Sequence, residues 1–456
     1  MDAHFAAAII FYAALISIVF LPLGSVMISY VIMCNLDVPG LGNTIKILIV
    51  PLILLLRFHI YRKQNRLEPN EINIIANPSL TYGTWILFAC YSFLAIFWSE
   101  TGNYVAGLKF VLQLVGIFLF YITFKQANQL QLLNRGFVTS SVFATLALGV
   151  LQTYVVESSF GVELSRFTGF VASQQYAAFL VGLLAVTLWN YQPRWGGMKF
   201  VLSCLLLTAL FANGSRTWFL GAVIVFAFWL IHRTLKNLAY AALVHMMTGM
   251  AILGSFMLYQ YSMANENQWR DANRLLDTYY SIVEGEDVAS EGTFGARKIM
   301  NEGMLAEIRE GTTMQLLFGH GTSASEKVAK KYHSYMYRNG VEDPNRVAHN
   351  EWLRIVYEFG IVGITLWLTF LMLCLLRLVK QKVKMLPLLS YAIGLLFALT
   401  TENILMGAGN VVLCGLMILL ACKQTRTVPI LTNVLSKNDK TAPSIISLGY
   451  RSEVPS

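Results

Sequence analysis

Long apolar runs separated by short polar loops make up most of the chain. Runs that fit membrane-spanning helices lie near 5–33, 44–58, 80–98, 108–124, 136–156, 174–191, 199–213, 216–232, 239–261, 352–377, 386–401 and 404–422. Pro22 interrupts the first run, which is therefore either one helix or a helix followed by a re-entrant piece. A hydrocarbon core needs about 20 residues per helix, so the pattern predicts an all-α polytopic membrane protein with about 12 transmembrane helices.

Composition agrees with this class. Hydrophobic residues make up 56% of the chain and charged residues 13%, and the mean hydropathy is +0.57. Soluble domains are roughly 45–50% apolar and about 25% charged. The net charge of +9 would suggest nucleic-acid binding, but the charges lie mostly in short loops between apolar runs, so no nucleic-acid partner is predicted. The first apolar run lacks a basic start and a small-residue cleavage site, which indicates a retained helix rather than a signal peptide.

Lysine and arginine placement predicts the orientation. With a cytoplasmic N-terminus, about 14 basic residues fall in inner loops and about 4 in short outer loops, as the positive-inside rule expects. The inner residues are Arg57, Arg62, Lys63, Arg66, Lys125, Arg135, Arg194, Lys199, Arg233, Lys236, Arg377, Lys380, Lys382 and Lys384, and the outer ones are Lys46, Lys109, Arg166 and Arg216. The predicted parts are transmembrane helices 1–9 in 1–261, a large periplasmic loop in 262–348, helices 10–12 in 349–422, and a disordered cytoplasmic tail in 423–456.

The predicted periplasmic loop is locally acidic although the whole chain is basic. Its pattern predicts short helices at 263–283, which could lie on the outer leaflet, and at 295–310 and 323–338. Between the last two lies Gly319-His320-Gly321, either a simple turn or a turn that presents backbone N–H groups to an anion. None of the six cysteines lies in this loop, so neither disulfides nor a CxxC-type metal site is predicted there.

A polar motif stands where the loop meets the next apolar run. His349 places a titratable imidazole at the predicted outer membrane boundary. Asn350 can cap the following helix, Glu351 suits its positive end, and Gly360 and Gly363 suit close helix packing. Capping and packing leave His349 and Glu358 unexplained, so both are candidate catalytic residues.

Three arginines on the predicted outer side are candidate ligands for a phosphate group. Arg216 follows Ser215 in a very short connection, Arg166 precedes another span, and Arg297 begins a loop helix. Snorkelling to the headgroups or a solvated surface would also explain them. Several guanidinium groups near one membrane face, however, suit a diphosphate at headgroup depth, because arginine binds phosphate through two parallel N–H donors.

The order of these motifs resembles the bacterial O-antigen ligase and polymerase superfamily over roughly residues 80–420. The motifs are Arg166/Gly169, Ser215/Arg216, Gly319/Gly321 and His349-Asn350 followed by Leu353, Glu358, Gly360 and Gly363. The resemblance implies a fold similar to GT-C-type glycosyltransferases that use lipid-linked donors. It also implies a multi-pass protein of the bacterial inner membrane with its active site facing the periplasm.

The resemblance further implies a glycosyltransferase that moves a glycan from undecaprenyl diphosphate to a sugar hydroxyl. The acceptor would be lipid A-core or a second lipid-linked glycan, so ligase and polymerase stay open. His349 or Glu358 would accept the proton. The donor's diphosphate and glycan would be bound by Arg216, Arg166, Arg297, Ser215, Asn350 and His320. No cofactor is implied, and the chain has no Asp-x-Asp motif of a metal-dependent sugar-nucleotide site.

Two other classes remain as alternatives. A transporter or flippase for a lipid-linked oligosaccharide would share the helix number and the basic outer face. The two halves of the chain show no repetition, however, which many secondary transporters do show. A membrane scaffold without chemistry would leave the outer arginines and His349 unexplained.

Overall fold

The structure is a computed structural model that describes residues 3–36, 38, 45–65, 80–130, 132–155, 167, 170–171, 173–189, 196–234, 292–332 and 350–380. Every regular element in this described part is helical, and its β-type contact is an isolated bridge between Leu36 and Phe170. The predicted all-α class is therefore confirmed for these residues. The predicted elements at 239–261, 263–283, 386–401, 404–422 and 423–456 lie outside them.

The helices follow the apolar runs closely. They are α1 Ala3–Phe20, α2 Leu23–Cys34, α3 Val50–Gln64, α4 Leu80–Leu94, α5 Tyr104–Gln129, α6 Arg135–Val150, α7 Ser173–Trp189, α8 Gly196–Asn213, α9 Arg216–Thr234, α10 Gly292–Glu310, α11 Thr313–Phe318, α12 Ser325–Tyr332 and α13 Glu351–Lys380. A π-helical turn, Ile45–Ile49, precedes α3, and another, Leu151–Val155, follows α6. A 3₁₀ turn, Ala95–Trp98, extends α4.

Pro22 divides the first apolar run into two helices, so the interpretation as one continuous helix is wrong. It stands before α2 with φ −57° and ψ 149°, outside the helical region. Proline disfavours helical backbone at the preceding residue, so α1 ends before it. The two helices then pack on each other, and the hydroxyl of Ser17 donates to the hydroxyl of Ser29 at 2.6 Å.

The most completely buried helix is α7. All residues from 176 to 188 are buried, and α7 packs against α6, α8 and α9. Its sequence is apolar on every side, which is the composition of a helix enclosed by others rather than one at a polar surface. Helix α7 is therefore an enclosed part of the apolar core.

Aromatic side chains join α13 to α4 and α5. Phe88 of α4 meets Phe359 edge to face at 5.6 Å between ring centroids, and Trp85 lies 4.8 Å from Phe370. Phe110 of α5 stacks on Phe359 at 5.7 Å. Rings in such offset and edge contacts add attraction beyond the area they bury. The middle of α13 is thus held by two helices.

Three helices of the described part are long and apolar enough to cross a membrane. They are Tyr104–Ala127, Arg135–Thr153 and Glu351–Leu373. Shorter apolar helices accompany them, among them Tyr82–Trp98 and Gln175–Leu188. A polytopic membrane protein agrees with these lengths and compositions, whereas the predicted number of spans and their orientation stay predictions.

The helices predicted inside the large loop are found where the structure describes it. The prediction at 295–310 corresponds to α10, Gly292–Glu310, and the one at 323–338 corresponds in part to α12, Ser325–Tyr332. Between them, α11 begins at a capping box in which Thr312 and Gln315 bond each other reciprocally. This short helix leads directly into the Gly-His-Gly turn.

Candidate functional site

Helix α13 is interrupted at Gly360, and a loop from 319 to 324, here called the docked loop, fills the interruption. Gly360 has φ 61° and ψ −161°, which is not helical. Just before it, the carbonyls of Tyr357 and Glu358 accept hydrogen bonds from the backbone N–H groups of His320 and Gly321, both at 3.0 Å. Carbonyls that a broken helix would leave without partners are thereby satisfied by the loop.

The docked loop also bonds the C-terminal end of α4 and the turn that follows it. The N–H of Thr322 donates to the carbonyl of Ala95 at 3.2 Å, and its hydroxyl donates to the carbonyl of Ser92 at 2.5 Å. In return the hydroxyl of Ser99 donates to the carbonyl of Thr322 at 2.8 Å. The loop therefore links α4 and α13 through backbone groups of all three segments.

The two glycines of the Gly-His-Gly turn permit this close approach. A Cβ on Gly319 would lie 2.2 Å from the carbonyl oxygen of Glu358, and one on Gly321 would lie 2.3 Å from the Cα of Ser99. Both have positive φ, 79° and 93°, which favours glycine. The backbone N–H groups of the turn are engaged by carbonyls and hold it against α13. A substrate contact of the His320 side chain itself stays a prediction.

Substituting Gly360 should destabilise the protein. An added Cβ would lie 2.5 Å from the carbonyl oxygen of Leu317 and 2.6 Å from the nitrogen of Gly319. We expect Gly360→Ala to cost about 1–3 kcal/mol in backbone strain and about 1–3 kcal/mol in overpacking. Thermal unfolding in one detergent measures this loss. Gly83→Ala in α4 is the matched control, because nothing lies within 4 Å of its added Cβ. Equal melting of the two variants would contradict the tight contact at Gly360.

A buried ionic network lies on α13, in the turns just before the break at Gly360. Glu351, Arg354 and Glu358 are fully buried. Nη1 of Arg354 binds Oε1 of Glu351 at 2.8 Å, and its Nε binds Oε1 of Glu358 at 3.2 Å. The hydroxyl of Ser325, at the start of α12, donates to the same oxygen of Glu358 at 2.5 Å. The network thus joins the loop helix α12 to α13.

Two buried polar atoms of this network make no hydrogen bond within the described part of the chain. Among the described residues, Oε2 of Glu358 and Nη2 of Arg354 are buried and have no hydrogen-bond partner. The guanidinium of Arg354 instead lies over the ring of Phe110, 4.5 Å from its centroid, in a cation–π contact. Glu326, buried near Arg354, accepts a hydrogen bond from Nδ2 of Asn103 at 3.0 Å. Three carboxylates, those of Glu351, Glu358 and Glu326, therefore act on one guanidinium.

A second polar cluster surrounds Glu100, in the turn between α4 and α5. Its Oε1 accepts from Nε2 of Gln315 at 2.8 Å and lies 2.6 Å from Nδ1 of His320. Its Oε2 binds Nζ of Lys327 at 2.8 Å. Burial opposes ionisation of Glu100, but the hydrogen bonds from Lys327, His320 and Gln315 outweigh it and lower the pKa to about 2. Glu100 is therefore a carboxylate at neutral pH.

His320 is held between this carboxylate and α13. Its ring stacks on Tyr357 with 4.1 Å between centroids and an interplanar angle of 12°, and only 5% of the residue is exposed. One ring nitrogen faces Glu100, and the backbone N–H bonds α13. His320 thus joins the docked loop both to α13 and to the turn after α4.

At the start of α13, Asn350 caps the helix as predicted. Its side-chain oxygen accepts from the N–H of Leu353 at 3.2 Å, and its carbonyl accepts from the N–H of Arg354 at 3.0 Å. His349 lies outside the described residues, directly before this cap. The sequence analysis assigns Glu351 to the positive end of the helix. In the structure Glu351 also binds Arg354 within the buried network.

The segments that carry two of the predicted arginines adjoin each other. Nδ2 of Asn213 donates to the carbonyl of Phe167 at 2.9 Å, and the N–H of Phe167 donates to the carbonyl of Ala212 at 3.1 Å. Arg166 itself lies outside the described residues, and for Arg216 only the backbone, at the start of α9, lies within them. Their chain neighbours therefore meet at one turn, while convergence of the guanidinium groups stays a prediction.

The remaining predicted residues are distributed over these elements. Ser215 is buried, 6% exposed, and its carbonyl accepts from the N–H of Phe219 in the first turn of α9. Arg297 lies in α10, where only its backbone is described. Glu358 lies in the buried network. No group of three or more His, Cys, Asp or Glu side chains that could hold a metal ion occurs in the described ranges.

Sequence reasoning missed the central residue of the network. Arg354 stands three residues after Glu351 and four before Glu358, which places the three side chains on one face of a helix. That spacing is a readable signal of paired charges inside a predicted span. Ser325 and Glu100 give no comparable signal, because their partners are 33 and 220 residues away in the chain.

Comparison with family models found one match in the part of the chain that carries these motifs. Residues 201–368 match the model of the family described as O-antigen ligase. The matched range begins in α8 and ends in α13, so it includes the Asn213–Arg216 turn, the docked loop and the motif from His349 to Gly363. A search of curated proteins found no match.

Proposed function

We propose that this chain, whose residues 201–368 match the O-antigen ligase family model, is an inner-membrane glycosyltransferase of the O-antigen ligase and polymerase superfamily. Its donor is a glycan on undecaprenyl diphosphate, and its acceptor is a sugar hydroxyl at the periplasmic face, on lipid A-core or on a second lipid-linked glycan. The observation that carries the proposal is that one family match spans both the Ser215-Arg216 turn and the His349 motif.

In this mechanism, arginines bind the donor's diphosphate. Arg216 binds the leaving group by its planar pair of N–H donors, and Arg166 or Arg297 adds positive charge. The hydrogen bonds that join Phe167 to Ala212 and Asn213 support a shared site, because they hold the neighbours of Arg166 and Arg216 together. Charge neutralisation at the leaving oxygens lowers the barrier without a metal ion.

His349 accepts the proton in this mechanism. The acceptor oxygen attacks the anomeric carbon, the bond from that carbon to the diphosphate breaks, and the hydroxyl proton passes to the imidazole. Undecaprenyl diphosphate leaves with the bonding electron pair. The full burial of Glu358, together with its bonds to Ser325 and Arg354, supports a positioning role for this carboxylate rather than that of the base.

A reconstituted transfer reaction tests the function. The full chain in lipid nanodiscs is supplied with an undecaprenyl-diphosphate-linked glycan, alone or with lipid A-core. Longer lipid-linked chains identify a polymerase, and glycan on lipid A-core identifies a ligase. Translocation of the donor across proteoliposomes without any new glycosidic bond would instead support the flippase alternative and contradict the proposal.

The chemistry proposed for Arg216 predicts that lysine cannot replace it. We expect Arg216→Lys to lose roughly 10- to 100-fold in transfer rate, since a point charge does not reproduce two charge-assisted hydrogen bonds. Donor binding and transfer rates are measured on the purified variant. Arg135→Lys, at an exposed position on the predicted cytoplasmic side, serves as control. Wild-type transfer rates in Arg216→Lys would contradict diphosphate binding by Arg216 and would favour a side chain that only extends to the lipid headgroups.

The orientation is a further prediction. We expect single cysteines at position 290, in the acidic loop, to react with a membrane-impermeant maleimide from the periplasm. Cysteines at position 436, in the C-terminal tail, should react only after the inner membrane is opened. The substitutions are Ser290→Cys and Ser436→Cys in a cysteine-free chain. Reaction of position 290 from the cytoplasmic side alone would overturn the periplasmic active site.

A further inference from the structure

The short helix α11 exposes four apolar side chains. The exposed fractions are 69% for Met314, 40% for Leu316, 38% for Leu317 and 43% for Phe318. Met314, Leu317 and Phe318 are spaced i, i+3 and i+4 and therefore share one face of the helix, and Leu316 lies beside this face. A helix in a water-exposed loop keeps polar residues on its outer side, which α11 does not do. An exposed apolar face of this kind favours apolar surroundings.

Contacts to both neighbouring elements fix the position of α11. The hydroxyl of Tyr91 in α4 donates to the carbonyl of Phe318 at 2.8 Å. At the break in α13, a Cβ on Gly360 would lie 2.5 Å from the carbonyl oxygen of Leu317. The side chain of Gln315 donates to Glu100 at 2.8 Å. The helix thus lies directly against the outer ends of two apolar helices.

Its depth follows from the length of α13. Arg377 begins the basic cluster predicted on the inner side. Counting back about 20 residues, one bilayer core, places the outer edge of the hydrocarbon near Tyr357. Gly360 then lies within the first helical turn inside that edge, and α11 packs beside it. The helix is therefore at the level where headgroups meet acyl chains.

The exposed surface of α11 continues an apolar surface on α4 and the 3₁₀ turn that extends it. The exposed fractions there are 57% for Leu87, 44% for Phe93, 53% for Leu94 and 70% for Phe97. The hydrogen bond between Tyr91 and Phe318 joins the two surfaces, and Glu100 and Lys327 form a polar edge on the outer side. Lipid that covers the exposed side of α4 would thus also reach α11.

We propose that α11 is an interfacial helix whose side chains at 314, 316, 317 and 318 insert among the acyl chains of the outer leaflet. Bilayer lipid is the occupant of this surface. The adjoining non-helical backbone is tolerated at this depth because the docked loop bonds it to Ala95, Tyr357 and Glu358. An interfacial helix buries its apolar side chains about 5–10 Å into this boundary. The large loop is then anchored in the membrane at the break in α13.

Spin-label accessibility in the full chain tests this position. Cysteine-free protein in nanodiscs of phosphatidylcholine and phosphatidylglycerol, without donor lipid, receives single labels through Met314→Cys or Leu317→Cys. Glu310→Cys, at the exposed end of α10, is the aqueous reference, and Leu87→Cys in α4 is the lipid reference. We expect oxygen to relax the labels at 314 and 317 several-fold more than a water-soluble nickel chelate does. Nickel accessibility equal to that at position 310 would overturn the proposal.

Two additions separate lipid from other occupants. If the labels become inaccessible to nickel only after undecaprenyl diphosphate is added, the donor's chain covers α11 and the proposal fails. Dipolar broadening that disappears on dilution with unlabelled protein would assign the surface to a second copy and also overturn it. Should a labelled variant misfold, the unmodified protein is irradiated with phosphatidylcholine that carries a diazirine on its acyl chain. Adducts on residues 314–318 support the proposal, and their absence beside adducts on α4 contradicts it.

Discussion

An Arg354→Met variant is expected to lose about 3–5 kcal/mol of unfolding free energy, because removing one partner of a buried ion pair leaves its counter-charge uncompensated. Here two carboxylates depend on one guanidinium. Arg354 binds Glu351 at 2.8 Å and Glu358 at 3.2 Å, and all three side chains are fully buried. Methionine retains much of the volume over Phe110 but none of the charge. Chemical or thermal unfolding in detergent measures the loss.

Two comparisons isolate the charge effect. Arg309→Met makes the same change at an exposed position of α10 and should alter stability by less than about 0.5 kcal/mol. The triple variant Glu351→Gln, Arg354→Met, Glu358→Gln removes both carboxylates together with the guanidinium and should recover much of the stability, since buried ionic groups are often replaceable as a set. Equal stability of Arg354→Met and Arg309→Met would show that the network is not ionised in the folded protein.

Replacing His349 with alanine is expected to reduce glycan transfer by about 10²–10⁴-fold, the usual loss when a general base is removed. His349 directly precedes Asn350, whose side chain caps α13. In the sequence, Arg346 stands three residues before His349 and α13 begins just after it, so we expect the neutral imidazole, which can accept a proton, to predominate. Transfer by the purified variant is measured with a lipid-diphosphate donor, and donor binding is measured separately. Binding and melting temperature should stay near those of the wild type.

Three further variants show whether the loss is specific. His59→Ala, at an exposed position of α3, should retain full activity. His320→Ala should lose stability through its contacts with Glu100 and Tyr357, with a milder loss of transfer in the protein that remains folded. Glu358→Gln retains the shape of the side chain and tests the carboxylate. An inactive Glu358→Gln beside an active His349→Ala would make the carboxylate the base.

Local signals in the sequence predict much of what the structure describes. Apolar runs predict α4 to α9 and α13 to within a few residues, because long apolar segments bounded by polar residues form helices in a membrane protein. Pro22 predicts the break between α1 and α2, since its ring excludes helical backbone before it. Asn350 predicts the start of α13, because a side-chain amide oxygen satisfies an N–H of the first turn. Each of these features depends on neighbours within about four residues.

Features that depend on distant partners are not predictable in this way. Gly360 suggests close packing of two helices, whereas the structure has a break in α13 that the docked loop fills. Its backbone geometry is stable only because residues some 40 positions earlier supply the missing hydrogen bonds. Glu100 and His320 are 220 positions apart in the chain, so no periodic pattern in the sequence indicates their contact. His349 and Arg166, outside the described residues, stay predictions made from the sequence.

The bonds of the docked loop also determine when the contact between α4 and α13 is completed during biosynthesis. The carbonyl of Ser92 accepts a hydrogen bond from the hydroxyl of Thr322, which is synthesised 230 residues later in the chain. At about 5–20 residues per second, translation takes roughly 10–50 s to supply that partner. The loop in turn needs the carbonyls of Tyr357 and Glu358, so it docks only after α13 has emerged. A nascent chain arrested before α13 therefore presents the unfinished end of α4 to chaperones and proteases.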